Sequence, residues 1–409
     1  MNIFIINVTA QYGSTGKIAQ ILRNGYENQG NHVTICYGRK KTELTSKGNY
    51  YRISNSLETI ITYLGARLFG IQGLGCYFST KKLLKYINKN NPDLIHILNL
   101  HGYYIDEFML LRFLKSHQTP IIYTMCDEYS FTGKCGFAGD CDKFMSSCKG
   151  CNHKKYYPTS LFFNTSYFYF EKKSDIYKGY GPIVFAGCGY VAQRARASLL
   201  LKEKDVRTIG EPVDMDNVFY PRNVEELRNR LGISPDKIVV LTVAVLSNSR
   251  KGGSFFLQMT KRLVKDEQFV FIYVGYDTDK YDDLTPAEVI RIPYVESLDE
   301  LATYFSLADV TVATSLSETV PLAVINSLAC GTPVCAFNIG GLSSISVNDE
   351  SILKKVQLYN VAELCGVIEG AKKKTDKDIR KNRLAVYNDF SSVNVIKDYN
   401  NIANQLVMK

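Results

Sequence analysis

The stretch that decides the fold is ATSLSETVPLAVINSLACGTPVCAFNIGGLSS, residues 313–344. It begins at the end of an apolar, β-branched run, DVTVATS, which predicts a buried strand. A helix is expected to begin near Pro321, because proline is tolerated in the first turn, where its missing N–H would have no partner. Gly331 fits the residue that follows a helix, and a second strand is predicted from Pro333. The stretch therefore reads as strand, loop, helix and strand, the repeating unit of a parallel sheet.

The loop in this stretch places a carboxylate beside backbone donors. Glu318 follows the first strand. The amides at the start of the helix lack partners within it, and they belong to Thr319, Val320, Leu322 and Ala323. Because ligands bind beyond the carboxyl ends of the strands in open α/β sheets, we expect these groups to face a ligand, and a helix N-terminus favours an anionic one.

Short apolar runs alternate with helical periods along the whole chain. Predicted strands lie at 32–38, 93–99, 120–126 and 182–188, and a second series lies at 237–246, 269–275, 289–295, 309–315 and 333–339. A polar stretch with two prolines, 211–223, separates the series. We predict an α/β fold of two doubly wound, Rossmann-like domains that face a central cleft. The predicted boundaries are 1–215, 216–385 and a C-terminal helix, 386–409, that packs back on the first domain.

Charge is unevenly distributed along the 409 residues. Residues 1–215 contain 27 Lys and Arg and 16 Asp and Glu, a net charge of +11, whereas the remainder contains 22 and 24. This excess favours an anionic partner for the first half, either a membrane surface or a lipid-linked phosphate, unless it forms only a solvated basic face. We expect no nucleic-acid partner, because no nucleic-acid-binding signature is present.

The sequence has neither a signal peptide nor an apolar run of about 18 residues. We therefore expect a cytoplasmic protein. A peripheral position on the inner face of the plasma membrane is the alternative.

A glycine-rich turn, YGSTGK at 12–17, follows the first predicted strand. It is not a nucleotide-triphosphate P-loop, because that motif needs glycine and a hydroxyl where this chain has Gln11 and Ile18. Gly13 and Gly16 are predicted to lie on a strand-to-helix turn. Such a turn either binds an anionic or hydroxyl-rich ligand or only connects the two elements.

Several segments together resemble one enzyme family. Glu318 and the sequence ACGTPV with its following GG turn resemble the retaining GT-B glycosyltransferases of family 4. The resemblance covers nearly the whole chain and includes YGSTGKIA, NPDLIHILNLHGYYID, DEYSFTGKC, FAGCGYVAQRARASLL, SRKGGSFFL and VESLDELATYFSLADVTVATSLSE. It implies a GT-B fold and transfer of a sugar from a UDP or GDP donor, without a catalytic metal ion.

The resemblance also implies roles for individual residues. Glu318 is expected to bind hydroxyls of the donor sugar, the helix amides after it to hold the diphosphate, and Arg250 and Lys251 to neutralise that diphosphate. The chemistry agrees, because cations and a helix N-terminus stabilise a leaving pyrophosphate. Gly13 and Gly16 are expected to let the backbone approach the donor. Tyr294 is counted among the donor-binding residues.

Two positions depart from the family pattern. The second glutamate of the Glu-x₇-Glu motif is Asn326, which accepts hydrogen bonds from ribose hydroxyls only without charge assistance. The histidine of the family's His-Asp pair is Cys126, followed by Asp127. His101 and Cys126 are the candidates for acceptor binding, and the predicted catalytic residues are Asp127, Glu318 and Lys251. The departures favour either an unusual donor or a weakened enzyme.

Four of the 11 cysteines cluster in CGFAGDCDKFMSSCKGC, at Cys135, Cys141, Cys148 and Cys151. The terminal C-x₂-C spacing is typical of a metal knuckle, and four thiolates complete a closed tetrahedral Zn²⁺ site. We predict structural zinc, with free thiols or a disulfide pair as the alternatives.

The sequence SLETIITYLGARLFG, residues 56–70, has one apolar helical face, formed by Leu57, Ile60, Ile61, Leu64 and Leu68. The favoured interpretation is a helix that packs this face on the sheet. The alternative is an interfacial helix near a lipid-linked acceptor, in contact with an anionic membrane.

The function predicted from these observations is retaining sugar transfer from a nucleotide sugar to a glycan or polyprenyl-linked acceptor. By resemblance, the product is a bacterial capsule, exopolysaccharide or other surface polysaccharide. Two alternatives stay open, because a fold does not fix a function. One is a catalytically weakened scaffold that binds a sugar nucleotide, and the other is a sugar-nucleotide epimerase on the same fold.

Overall fold

The computed structural model describes residues 1–39, 44, 48–151, 157–245, 248–276, 286 and 288–408. The chain divides into two compact units. Unit 1 comprises Met1–Pro212 and Val395–Lys409, and unit 2 comprises Val213–Asn394. Each unit is built on a sheet whose described strands pair in parallel, which confirms the predicted α/β class.

The described strands of unit 1 form one sheet in the order β3-β2-β1-β4-β5-β6-β7. They are β1 (Asn2–Thr9), β2 (His32–Arg39), β3 (Asn49–Arg52), β4 (Leu94–Ile97), β5 (Ile121–Thr124), β6 (Ile183–Gly187) and β7 (Asp205–Thr208). The central strands are continuous apolar runs because helices cover both faces of the sheet. The strand order reverses between β1 and β4, so the loops after these strands lie at the position where open α/β sheets bind ligands.

The described strands of unit 2 form a second parallel sheet in the order β10-β9-β8-β11-β12-β13. They are β8 (Ile238–Val243), β9 (Phe269–Tyr276), β10 (Ile290–Pro293), β11 (Val310–Ala313), β12 (Val334–Phe337) and β13 (Leu353–Val356). Here the order reverses between β8 and β11. The loops that follow these two strands carry Lys251 and Glu318.

The described helices surround the two sheets. In chain order they are α1 (Gly13–Glu27), α2 (Ser56–Phe69), α3 (Tyr77–Asn90), α4 (Glu107–Ser116), α5 (Ser166–Tyr177), α6 (Gly189–Ala197), α7 (Glu225–Arg230), α8 (Gly253–Leu263), α9 (Leu298–Leu307), α10 (Leu322–Ala329), α11 (Val361–Glu369), α12 (Asp376–Phe390) and α13 (Ser392–Val407). Short 3₁₀ turns include Ser249–Lys251 and Gly340–Ser344.

The part of α13 that belongs to unit 1 completes the core of that unit. Val395, Tyr399 and Ile402 are buried in one apolar cluster with β1 and α1. Thr124 donates a hydrogen bond to the hydroxyl of Tyr399 at 2.9 Å. A side chain at Gly25 of α1 would overlap Ile396, so this glycine allows α13 to approach closely.

The interpretation of α2 as a helix that packs its apolar face on the sheet is wrong. Leu57, Ile61 and Leu64 are at least half exposed, whereas Thr62 and Ala66 on the opposite face are buried. The buried face fits tightly, because a Cβ at Gly75 would lie 2.1 Å from the Thr62 hydroxyl oxygen. Only small side chains fit into such a close contact. The large apolar side chains of α2 therefore face solvent.

Candidate functional site

Two loops of unit 2 are joined at the strand reversal between β8 and β11. The 3₁₀ turn after β8 is capped by Asn248, whose side-chain oxygen accepts a hydrogen bond from the Arg250 amide at 3.1 Å. The Leu316 amide donates to the Arg250 carbonyl at 2.7 Å, and the Thr314 hydroxyl donates to the Lys251 carbonyl at 3.0 Å. These bonds fix the backbone of the basic turn against the loop that contains Glu318.

Lys251 and Glu318 form an ion pair at this position. Lys251 Nζ lies 2.5 Å from Glu318 Oε1, and the two side chains are 29% and 12% exposed. An ammonium has three N–H donors, so one carboxylate oxygen leaves it able to bind further oxygen atoms. The pair therefore presents both a cation for an anionic ligand and an acceptor for hydroxyl groups.

Glycines allow the loops around the ion pair to converge. Gly252 has a φ of +64°, and a Cβ there would lie 2.0 Å from the Thr314 carbonyl oxygen. A Cβ at Gly341, in the turn after β12, would lie 2.4 Å from the carbonyl oxygen of Glu318. Backbone approaches this close are possible only without a side chain. The RKGG and GGLSS segments are thus both packed against the loop after β11.

The residues whose amides are predicted to bind the donor lie around the N-terminus of α10, where Pro321 occupies the N-cap position without a side-chain cap. Thr319 is buried, and three apolar residues pack against the core of unit 2: Val320, Leu322 and Ala323. The Leu322 amide already donates to the Val320 carbonyl at 3.0 Å. The set of amides available to a ligand is therefore narrower than the sequence predicts.

Two further residues that the sequence predicts to bind the sugar donor lie in different surroundings. Asn326 lies on α10, and its buried Oδ1 has no hydrogen-bond partner among the described residues. An unsatisfied buried acceptor is uncommon and suits a ligand hydroxyl. Tyr294, in contrast, follows edge strand β10, two strands away from β8, and its side chain is 65% exposed. Tyr294 therefore follows a strand that does not pair directly with β8.

In unit 1, His101 and Asp127 form a second pair. They follow the neighbouring strands β4 and β5, and His101 Nε2 lies 2.6 Å from Asp127 Oδ2. His101 Nδ1 lies 3.2 Å from the hydroxyl of Tyr157, and the rings of Tyr129 and Tyr157 pack edge-on against the imidazole. The sequence assigned His101 and Asp127 to different roles, whereas the structure brings them together.

A buried polar network lies behind this pair. The Tyr129 hydroxyl donates to Glu107 Oε1 at 2.7 Å, and Lys173 Nζ donates to the Tyr129 carbonyl at 2.5 Å. Burial raises the pKa of Glu107 to about 7, although Lys173 opposes this shift. Burial also lowers the pKa of Lys173. Sequence reasoning missed this network, because its members are far apart in the chain and form no motif.

Local packing and backbone geometry largely explain the other residues of unit 1 that the sequence predicts for the site. Cys126 packs against the apolar core, and desolvation raises the pKa of its thiol well above the ordinary value. Gly13 begins α1 with a φ of +71°. A Cβ at Gly16 would lie 2.7 Å from the Thr9 hydroxyl oxygen, so the turn itself requires a glycine there.

The structure does not support the predicted zinc site. All four residues, Cys135, Cys141, Cys148 and Cys151, are free cysteines. Within the described part of the chain, which includes them all, no group of three or more His, Cys, Asp or Glu side chains could hold a metal ion. Burial raises the pKa of Cys135 to about 12 and that of Cys148 to about 11, and the Cys148 sulfur accepts a hydrogen bond from the Gly133 amide at 3.3 Å.

Solved structures with the same architecture are glycosyltransferases and related enzymes. Sucrose-phosphate synthase from Thermosynechococcus elongatus aligns with 100% of this chain and 99% of its own, with a TM-score of 0.70 and 15% identity. Anabaena HepE in complex with UDP-glucose aligns over 100% of both chains, with a TM-score of 0.62 and 14% identity. These similarities confirm the predicted GT-B fold.

Residues 237–364 match the family described as Glycosyl transferases group 1. This range contains Lys251, Glu318 and Asn326. The chain is a GT-B glycosyltransferase. The glycosyltransferase is 21% identical over 377 residues to the putative colanic acid biosynthesis glycosyl transferase WcaC of Escherichia coli K12, covering 88% of this chain and 90% of that one. It is 33% identical over 142 residues to D-inositol 3-phosphate glycosyltransferase of Streptosporangium roseum, covering 31% of this chain and 32% of that one.

Because the loops converge at Gly252, alanine should destabilise the protein more there than at Gly232, a glycine with the same backbone conformation. Gly232 and Gly252 both have a φ of +64°, but a Cβ at Gly232 would meet nothing within 4 Å. Gly232→Ala should lower the free energy of unfolding by about 1 kcal/mol, the cost of a left-handed alanine. Gly252→Ala should lower it by roughly 2 kcal/mol more, because the methyl group also displaces the Thr314 carbonyl. Urea unfolding measures both, and equal losses would contradict the described packing.

The raised pKa of Glu107 predicts a pH-dependent stability. A carboxyl group whose pKa is higher in the folded than in the unfolded protein stabilises the fold below its ordinary pKa of 4.5, and this contribution is lost as the pH rises through about 7. The loss should be on the order of 3 kcal/mol by pH 8. Glu107→Gln keeps an acceptor for Tyr129 and cannot ionise, so it should remove this part of the decline.

Urea unfolding at pH 5 and pH 8 checks the expectation for Glu107. The exposed Glu171, on α5, provides a matched control as Glu171→Gln. If Glu107→Gln and Glu171→Gln decline in parallel with the unsubstituted protein, the buried network does not control the dependence.

Proposed function

We propose that the protein is a retaining glycosyltransferase of family 4 that uses a nucleoside diphosphate sugar as donor. Its acceptor is a glycan on a polyprenyl carrier, and its product is a bacterial surface polysaccharide of the capsule or exopolysaccharide type. The observation that carries the proposal is the Lys251–Glu318 pair at the strand reversal of unit 2, beside the N-terminus of α10.

The proposed donor site follows from the chemistry of the leaving group. As the bond between sugar and diphosphate breaks, negative charge develops on the diphosphate oxygens. Lys251, Arg250 and the amides at the start of α10 stabilise that charge through donors that are already in place. Glu318 accepts hydrogen bonds from hydroxyl groups of the donor sugar. Its carboxylate also orients the Lys251 ammonium through the ion pair.

Asn326 completes the proposed donor site as the acceptor for a ribose hydroxyl. Its Oδ1 is buried and lacks a partner among the residues that the structure describes. A neutral amide makes a weaker hydrogen bond than a carboxylate does. UDP-glucose is the first donor to test, because HepE, which has the same fold, forms a complex with it. Metal-independent transfer is proposed from the resemblance to family 4.

The His101–Asp127 pair is proposed to contact the sugars. Family 4 places an imidazole directly before this aspartate, where the present chain has Cys126. We propose that His101 supplies that imidazole from the neighbouring strand end, because its ring lies 2.6 Å from the aspartate. The neutral thiol of Cys126 then serves as an acceptor-site contact rather than a nucleophile. In a front-face mechanism the leaving phosphate takes the proton of the acceptor, so no strong general base is required.

The similarity to WcaC supports the proposed class of product. That similarity extends over 90% of a protein whose name assigns it to colanic acid biosynthesis. We extend to this chain a role in polysaccharide biosynthesis, not the particular sugar or linkage.

The donor-site proposal predicts that Lys251→Met weakens UDP binding and slows sugar transfer. Loss of one charge-assisted contact should reduce the affinity for UDP by about 10- to 100-fold and kcat/KM for UDP-glucose by roughly 100-fold or more. Isothermal titration with UDP and the release of UDP from UDP-glucose measure the two effects.

Lys354 is a matched control for Lys251. Its side chain is also 29% exposed and its Nζ also lies 2.5 Å from a carboxylate, that of Glu350. Lys354→Met should leave UDP binding unchanged. Equal affinities of the Lys251 and Lys354 variants would overturn the assignment. Binding of UDP-glucose without transfer or hydrolysis would instead favour the scaffold alternative.

A further inference from the structure

Unit 1 exposes an extended apolar surface that the proposed reaction does not use. We call it the α2 surface. Its largest members are 50–69% exposed, and they are Leu57, Ile60, Ile61, Leu64, Phe162 and Phe163. Contiguous exposed patches of large apolar side chains mark sites that another surface covers.

The segment that contains Phe162 and Phe163 lies along the C-terminal part of α2. The Leu161 amide donates to the Arg67 carbonyl at 2.8 Å, and the Phe162 amide donates to the Leu68 carbonyl at 3.2 Å. The rings of Phe69 and Phe163 lie 6.3 Å apart. The aliphatic side chains of α2 and the aromatic side chains of 161–163 therefore belong to one continuous surface.

The orientation of α2 is the reverse of that expected for a helix in water. It buries Thr62 and Ala66 and turns its leucines and isoleucines outward. Hydrogen bonds hold it in this orientation, since Thr165 Oγ1 donates to the carbonyl of Gly70 at 2.6 Å. The exposed face is thus a fixed feature of the fold.

Cations border the α2 surface. The rings of Tyr167 and Phe168 lie on α5. Lys149 Nζ, from the segment before that helix, lies 6.0 Å from the ring of Tyr167, and Lys172 Nζ lies 4.8 Å from the ring of Phe168. At the start of α3, exposed Lys81 and Lys82 follow exposed Phe78. Apolar and aromatic side chains rimmed by lysines match the boundary between lipid tails and anionic headgroups.

We propose that the α2 surface docks on a membrane that contains anionic lipids. The helix lies in the plane of the interface, with Phe162 and Phe163 among the acyl chains and the bordering lysines at the headgroups. Within the described residues, no helix is long and apolar enough to cross a membrane. The docking is therefore on one face of the bilayer.

Charge favours a membrane over a second copy of this chain. Residues 1–215 carry a net charge of +11, so two such surfaces brought together would repel each other, whereas an anionic membrane attracts them. This inference does not rest on the proposed donor or acceptor, because it uses only the surface of unit 1.

Vesicle binding by the full chain tests the proposal. The protein is sedimented with vesicles of phosphatidylcholine containing 30% phosphatidylglycerol, and Ile60→Glu/Leu64→Glu is compared with Leu384→Glu. Leu384 is a matched control, because it is 70% exposed on α12 of unit 2. The double variant should lower the vesicle partition coefficient at least about tenfold, whereas Leu384→Glu should leave it unchanged.

The same variants separate a membrane role from a folding or donor-site defect. All three positions are exposed, so melting temperatures and UDP affinities should equal those of the unsubstituted protein. The proposal is overturned if the unsubstituted chain does not sediment with these vesicles, or if the double variant sediments as well as the control. It is also overturned if light scattering shows a dimer that only the double variant dissociates, because the occupant is then a second copy.

Discussion

The ion pair between Lys251 and Glu318 is the interaction on which the account of unit 2 depends. It joins the loops after β8 and β11, the two strands between which the sheet order reverses. Gly252 and Gly341 let the surrounding backbone approach within a distance that no side chain allows. The site is therefore a consequence of topology and of two glycines, and the fold itself holds the two charges in place.

Much of the fold could be predicted from the sequence, because its signals are local. Continuous apolar runs predict buried parallel strands, and the proline and glycine that bound α10 predict its ends. Lys251 and Glu318 were predicted through resemblance and through their positions after strands. Their distance could not be predicted, because Lys251 and Glu318 are 67 residues apart in the chain. It depends on hydrogen bonds between the two loops, such as that from the Leu316 amide to the Arg250 carbonyl.

The failures of prediction have physical causes. The apolar face of α2 could not be assigned to core or surface, because periodicity shows that a helix has two faces but not which face is buried. The spacing of Cys135, Cys141, Cys148 and Cys151 allowed zinc, yet no metal-binding group forms among the described residues. The link between His101 and Asp127 was missed because parallel pairing of β4 and β5 joins residues that share no motif.

A crystal structure of the full chain with UDP tests the central claim most directly. The account predicts a diphosphate oxygen within about 3 Å of Lys251 Nζ, in the range of charge-assisted hydrogen bonds, with a ribose hydroxyl at Asn326 Oδ1. UDP bound elsewhere, with the Lys251–Glu318 contact unchanged and no phosphate beside it, would contradict the account.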